Sequence, residues 1–175
     1  MQTIILGGGC FWCTESVFKQ VKGVSQVTSG YAGGDEVTAN YKAVCGGDTG
    51  HIEVIKVDFD ETIIALEVVL NIFFATHDPT TRDRQGNDVG EQYRSVVFYT
   101  DDNQKPTINR VIGELRDKNG VNVVTEVHPA PPFFAAEEYH QDFYAKNPEQ
   151  SYCNFVIPPK LAKLKQYFSG FMIEK

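Results

Sequence analysis

The sequence predicts an α+β domain built on a mixed sheet, and three observations carry that reading. Strand-like and helix-like stretches follow one another without the strict alternation of a parallel sheet. At 175 residues, 42% of them hydrophobic, the chain can bury one sizeable core without disulfides or metals. No repeat, low-complexity tract or composition break divides it, so residues 1–175 are expected to form one domain.

Thr3-Ile4-Ile5-Leu6 is a short buried strand, and Gly7-Gly8-Gly9 is a turn that lets backbone pass closely. Residues 15–22 read as a helix capped by Thr14. Residues 24–31 are strand-like, and 30–35 form a Gly-rich loop. A second glycine stretch, 46–50, leads into the clearest strand, 51–59. Its alternation puts Glu53 and His51 on the face of Ile55, Val57 and Phe59. A helix over 61–75 follows, with Ile64, Val68 and Ile72 at helical spacing. Residues 80–90 form a polar loop, a composition that invites a functional explanation, and 93–99 a strand. An amphipathic helix over 104–118 has Pro106 in its first turn and Gly120 beyond its end. Residues 121–127 are a strand and 136–146 a short helix. The remainder, 147–175, is expected to be a long coil-rich segment, with Tyr152-Cys153 in coil and a small basic helix over 159–168.

A formal net charge of −7 without any basic block disfavours nucleic acid as a partner. Met1 to Leu6 lacks a signal-peptide pattern, and no apolar run is long enough to span a membrane. Four cysteines in such a chain suggest thiols kept reduced, in the cytoplasm, where a Cys pair is more often catalytic or metal-binding than structural.

Cys10-Phe11-Trp12-Cys13 lies where a strand hands over to a helix. Backbone N–H groups and the helix dipole there favour a thiolate, the reactive form of the residue. Zinc would need four ligands, and only one close Cys pair exists. The glycine runs fit neither phosphate-binding pattern. Glu137 and His140 have the spacing of one di-iron half-site, but there is no second copy; a polar helix face with Tyr139 and Phe143 turned inward is the plainer account. Glu53, a carboxyl on an apolar strand face, should have a raised pKa suited to a general acid. Spacing alone does not select Asp88, Tyr41 or Tyr93. Two other readings stay open: a thioredoxin-like oxidoreductase using Cys10 and Cys13 alone, and a module binding methionine-containing surfaces through Phe11 and Trp12.

Taken together, ordered blocks along most of the chain resemble the peptide methionine sulfoxide reductases of the A type. They are Gly9-Cys10-Phe11-Trp12, Gly30-Tyr31-Ala32-Gly33-Gly34, Tyr41-Lys42-Ala43-Val44-Cys45, Thr49-Gly50-His51-Ile52-Glu53, His77-Asp78-Pro79-Thr80, Arg84-Gln85-Gly86-Asn87-Asp88, Gln92-Tyr93-Arg94-Ser95 and Ala136-Glu137-Glu138-Tyr139-His140-Gln141. The resemblance implies a two-layer sandwich, ferredoxin-like in character, with a mainly antiparallel central sheet and flanking helices. It implies a monomer that reduces the S epimer of methionine sulfoxide, free or in proteins, with no metal or organic cofactor. It assigns Cys10 as nucleophile, Glu53 as acid, Tyr41 and Tyr93 as hydroxyl donors to the sulfoxide oxygen, Asp88 as a polar partner, and Phe11 and Trp12 as the wall for the substrate methyl group. A sulfenic acid on Cys10 would condense with a second thiol, and thioredoxin or a small dithiol would restore the enzyme. Cys13 departs from the common Gly at its position. Cys153, in an expected mobile segment able to swing to Cys10, is the first choice as resolving cysteine. Cys13 is a relay or inert, and Cys45 a buried structural thiol.

Overall fold

The computed structural model describes residues 1–173. Eight strands and six α-helices alternate irregularly: β1 (Gln2–Gly8), α1 (Phe11–Phe18), β2 (Val24–Ala32), α2 (Tyr41–Cys45), β3 (Ile52–Phe59), α3 (Leu66–Thr76), β4 (Arg84–Gln85), β5 (Asp88–Val89), β6 (Ser95–Tyr99), α4 (Lys105–Asn119), β7 (Glu126–Pro129), β8 (Phe133–Ala135), α5 (Phe143–Lys146) and α6 (Ser151–Phe168). Six strands make one sheet in the order β7-β6-β1-β3-β2-β8, while β4 and β5 form a separate hairpin. Within the sheet only β6 and β7 run parallel; every other pair is antiparallel. The sheet is therefore mixed and mainly antiparallel, as expected.

Alternation along the strands sorts the two faces. Ile4, Leu6, Val27, Ile55, Val57, Phe59 and Val97 join residues of α1, α3 and α4, together with Leu164 of α6, in the main core. The opposite face carries a smaller cluster around Ile5, Ile52, Val54, Val96 and Phe98. Glu53 shares the parity of Ile55 and Val57, so the strand period of two turns it toward the helices.

Several boundaries differ from expectation because local hydrogen bonds compete with periodicity. α1 starts at Phe11, since the Cys10 carbonyl already accepts from the N–H groups of Cys13 and Thr14. Thr14 is thus inside the helix, its hydroxyl bonded to the Phe11 carbonyl. α3 starts at Leu66 because Asp60 accepts from the N–H of Thr62 and holds a turn before the helix. Gly30-Tyr31-Ala32 belongs to β2, not a loop, and pairs with both β3 and β8. Residues 121–125 are not strand: Val124 N–H bonds Pro79 and the Val123 carbonyl accepts from Arg116. Asp142, at φ 55°, breaks the expected 136–146 helix into a 3-10 turn, Glu138–His140, and α5.

The expectation of a coil-rich C-terminal segment is overturned. α6 runs for 18 residues through Cys153 and across Pro158 and Pro159. Cys153, Ile157, Lys160 and Leu164 recur at three- and four-residue spacing, and all but Lys160 are fully buried. Docking of that stripe compensates for the two backbone donors the prolines remove.

Candidate active site

Gly9 sets the geometry of the nucleophile. It turns the chain at φ +95° between β1 and α1, where any added Cβ would lie 2.7 Å from the Gln85 side chain. Cys10 then occupies the N-cap of α1, half-buried. Beneath it Glu53 is 1% exposed, and its Oε1 accepts the Phe11 N–H at 3.2 Å. Burial raises the Glu53 carboxyl to about 8, opposed by that hydrogen bond and reinforced by the charge of Asp88. At neutral pH it is mostly a neutral acid, as the strand pattern predicted.

The thiol behaves otherwise than expected. Burial pushes the Cys10 thiol well above its usual value, its contact with Cys13 and the Glu53 charge add to the effect, and only the Trp12 N–H pulls it down. The expectation of a resting Cys10 thiolate is corrected: the Phe11 N–H at the helix start is given to Glu53 instead. The neighbouring Cys13 thiol is lowered, chiefly by its contact with Cys10, against burial, and also by the charge of Lys160.

Tyr41 and Tyr93 lie close enough to Glu53 and Cys10 to feel their charge, and neither lines the cavity at Cys10. Burial raises both phenols, with the charges of Glu53 and Cys10 adding, so both remain hydroxyl donors. Asp88 accepts a hydrogen bond from Tyr152, whose oxygen also lies 3.9 Å from the Cys13 sulfur. Trp12 is half-buried; Phe143 stacks on it at 3.9 Å with the planes 8° apart, and its indole N–H donates to His140 Nδ1 at 3.0 Å. Phe11 is fully buried against Tyr31 and His140. It is a support beneath the site and presents no open wall, while Trp12 keeps exposed surface.

A cavity of about 430 Å³ opens at Cys10, lined in part by Cys10, Cys13, Asp88, Tyr152, Phe155 and Lys160 and not by Glu53, Tyr41, Tyr93 or Trp12. Its α6 wall went unrecognised in the sequence. Tyr152 and Lys160 lay in the expected coil and basic helix, although the 153-157-160-164 spacing places a lysine on an apolar stripe. Tyr139 is 56% exposed, not turned inward, whereas Phe143 does pack inward. His140 is buried, and Glu137 accepts from the Tyr31 hydroxyl and the Tyr41 N–H, so these residues tie the rear of the site together.

The remaining cysteines correct two expectations. Cys153 is fully buried in α6 with Cys13 and Ile157, so it is not on a mobile coil. Cys45 is exposed at the end of α2, not a buried structural thiol. No helix among the described residues is long and apolar enough to cross a membrane.

The sequence profile described as "Peptide methionine sulfoxide reductase" matches residues 2–170. A protein named peptide methionine sulfoxide reductase MsrA from Psychrobacter cryohalolentis is 73% identical over 173 residues, covering 99% of each chain. The crystal structure of Mxr1 from Saccharomyces cerevisiae in reduced form is similar at TM-score 0.82 and 36% identity, covering 90% of this chain and 89% of that one. Mxr1 in complex with Trx2 is similar at TM-score 0.58 and 26% identity, covering 81% and 84%. With a profile match over almost its whole length and a relative of such identity, the chain belongs to the peptide methionine sulfoxide reductase family.

Proposed function

We propose that this chain reduces the S epimer of methionine sulfoxide, free and in oxidised proteins, by nucleophilic attack of Cys10, and so repairs oxidised proteins. One observation carries the reading: a buried, largely neutral Glu53 carboxyl is bonded to the residue next to Cys10. A sulfoxide sulfur becomes electrophilic when its oxygen is protonated. Glu53 gives its proton to that oxygen as the Cys10 sulfur attacks, and the thiol proton restores the carboxyl. Thiol plus sulfoxide thus become Cys10 sulfenic acid plus methionine, with no net proton change. Tyr41 and Tyr93 donate to the oxygen, Asp88 orients the polar side through Tyr152, and Trp12 receives the methyl group, with Phe11 behind it.

The sulfenic acid condenses with a thiol to give a disulfide and water. Cys13 and Cys153, buried side by side next to Cys10, are the resolving cysteines. A thioredoxin-type dithiol then exchanges with the disulfide; the likeness to Mxr1 in complex with Trx2 supports this partner. No metal or organic cofactor is invoked, and the enzyme acts as a cytoplasmic monomer. The antiparallel order β6-β1-β3-β2, with α1 and α3 as crossovers, supports a two-layer, ferredoxin-like core. A continuous core from β1 to α6 supports one domain; residues 174–175 lie outside the described residues.

The test is intact mass and thiol titration after one equivalent of methionine S-sulfoxide. One equivalent of methionine and the loss of two thiols are expected. Unreduced substrate with an unchanged protein would overturn the reading and favour a non-enzymatic binding module.

A further inference from the structure

Lys160 is the one charged residue on the inward face of α6. It lines the cavity that holds Cys10, Cys13 and Tyr152, between buried Ile157 and Leu164. One of its three N–H donors is fixed on the Thr76 carbonyl at 2.7 Å, at the end of α3. That bond fixes the ammonium at the lining of the cavity that Cys10 and Cys13 share. An ammonium removed from water on an apolar stripe is unfavourable without compensation, and its ordinary value is indeed lowered by burial. Neither the proposed attack on the sulfoxide nor substrate binding uses it.

We propose that Lys160 is a positioning residue for the resolving step: its ammonium holds Cys13 as the thiolate that first condenses with the Cys10 sulfenic acid. The proposal rests on the reductase reading above. The step balances as Cys13 thiolate plus Cys10 sulfenic acid plus one proton giving the Cys10–Cys13 disulfide and water. The thiolate sulfur attacks the Cys10 sulfur, the S–O bond breaks, and hydroxide leaves as water. No external oxidant enters, because the sulfoxide has already supplied the oxidising equivalents.

Three features favour Cys13 over Cys153. Cys13 lies three residues from Cys10 on the first turn of α1 and packs with it, and the charge of Lys160 lowers its thiol. Cys153 is pushed up to about 11, by burial and by the charge of Cys13, which leaves it a poor nucleophile at neutral pH. Cys13 also lines the cavity, while Cys153 lies behind it. The groups facing the Cys13–Lys160 pair are Cys10 and Glu53, Asp88 and Tyr152, Cys153, Lys163, and His77 and Asp78 at the end of α3. Of the cations here, only Lys160 acts directly on Cys13.

The experiment follows a single turnover with methionine S-sulfoxide in wild type, Lys160→Met and Lys160→Arg, between pH 6 and 9. It reads released methionine, and the disulfides by rapid alkylation and peptide mapping. We expect Cys10–Cys13 to be the first disulfide in wild type. Lys160→Met should still release one equivalent of methionine but form that disulfide about tenfold more slowly at neutral pH, recovering as pH rises. Lys160→Arg should keep most of the wild-type rate. A first disulfide between Cys10 and Cys153 in wild type, or an unchanged rate and pH profile in Lys160→Met, would overturn the proposal. So would equal impairment of both variants, which is also the result expected of a merely structural lysine. Absence of methionine release from wild type would instead refute the reductase reading.

Discussion

The two walls of the active site around Cys10 are built by different physics. One wall is strand-borne: Glu53, which does not itself line the cavity, sits in β3 opposite Tyr31 of β2, inside a ladder of antiparallel hydrogen bonds. The other is the inward face of α6, which adds no strand to the sheet and carries two prolines in its interior. Register and backbone bonding position the first wall, whereas side-chain docking alone positions the second: Tyr152 on Asp88 and Lys160 on Thr76. The difference suggests a division of labour. The proton donor lies on the ladder, and the thiols lie against an element held by side chains.

The largest test of that contrast is on the strand side. Cys10→Ser should abolish methionine release in a single turnover, and detectable turnover there would sink the nucleophile assignment. Glu53→Gln should slow the reductase step by about 10²-fold or more, the usual range for a positioned general acid. The wild-type rate should fall as pH rises through about 8, where Glu53 ionises, and the variant should lack that limb. Folding stability gives a second readout. The folded value lies above the ordinary 4.5, so the contribution of the neutral acid is complete below about 4.5 and lost as pH rises through about 8. Denaturant titrations should show wild type losing stability over that window, on the order of a few kcal/mol, while Glu53→Gln stays flat.

Away from the strand wall effects should be smaller. Phe143→Ala removes the ring stacked on Trp12 and should lower stability by about 1–2 kcal/mol, less than a fully buried Phe would, with a raised KM. An unchanged KM would show that the stacked ring does not hold Trp12 for substrate. The smallest effect is expected at Cys45, exposed and outside the cavity, whose thiol meets the Tyr41 hydroxyl, a contact a serine keeps. Cys45→Ser should leave turnover with a dithiol within about twofold, since surface substitutions rarely exceed ±0.5 kcal/mol; a larger loss would bring Cys45 into the thiol exchange.

Much of the strand wall was legible in the sequence because the strand period of two is local. A carboxyl at 53 among Ile55, Val57 and Phe59 already implied a buried acid. The helix wall was hidden for an equally local reason: Pro158-Pro159 reads as a break, so Tyr152 and Cys153 were placed in coil and Lys160 in a separate basic helix. The same cause misplaced residues 121–125, whose apolar residues suggested a strand while their backbone groups were satisfied by Pro79 and Arg116.

The sequence by itself determined the mixed sheet, the acid at 53, and the turn that places Cys10 at a helix start, because each follows from periodicity or from the backbone freedom of glycine. Only the tertiary structure decided the state of the thiols. The Phe11 N–H expected to stabilise a Cys10 thiolate is taken by a carboxyl 42 residues away, and the cation beside Cys13 comes from the far end of the chain. Desolvation and Coulomb interactions depend on distances through space, and spacing along the chain does not encode them.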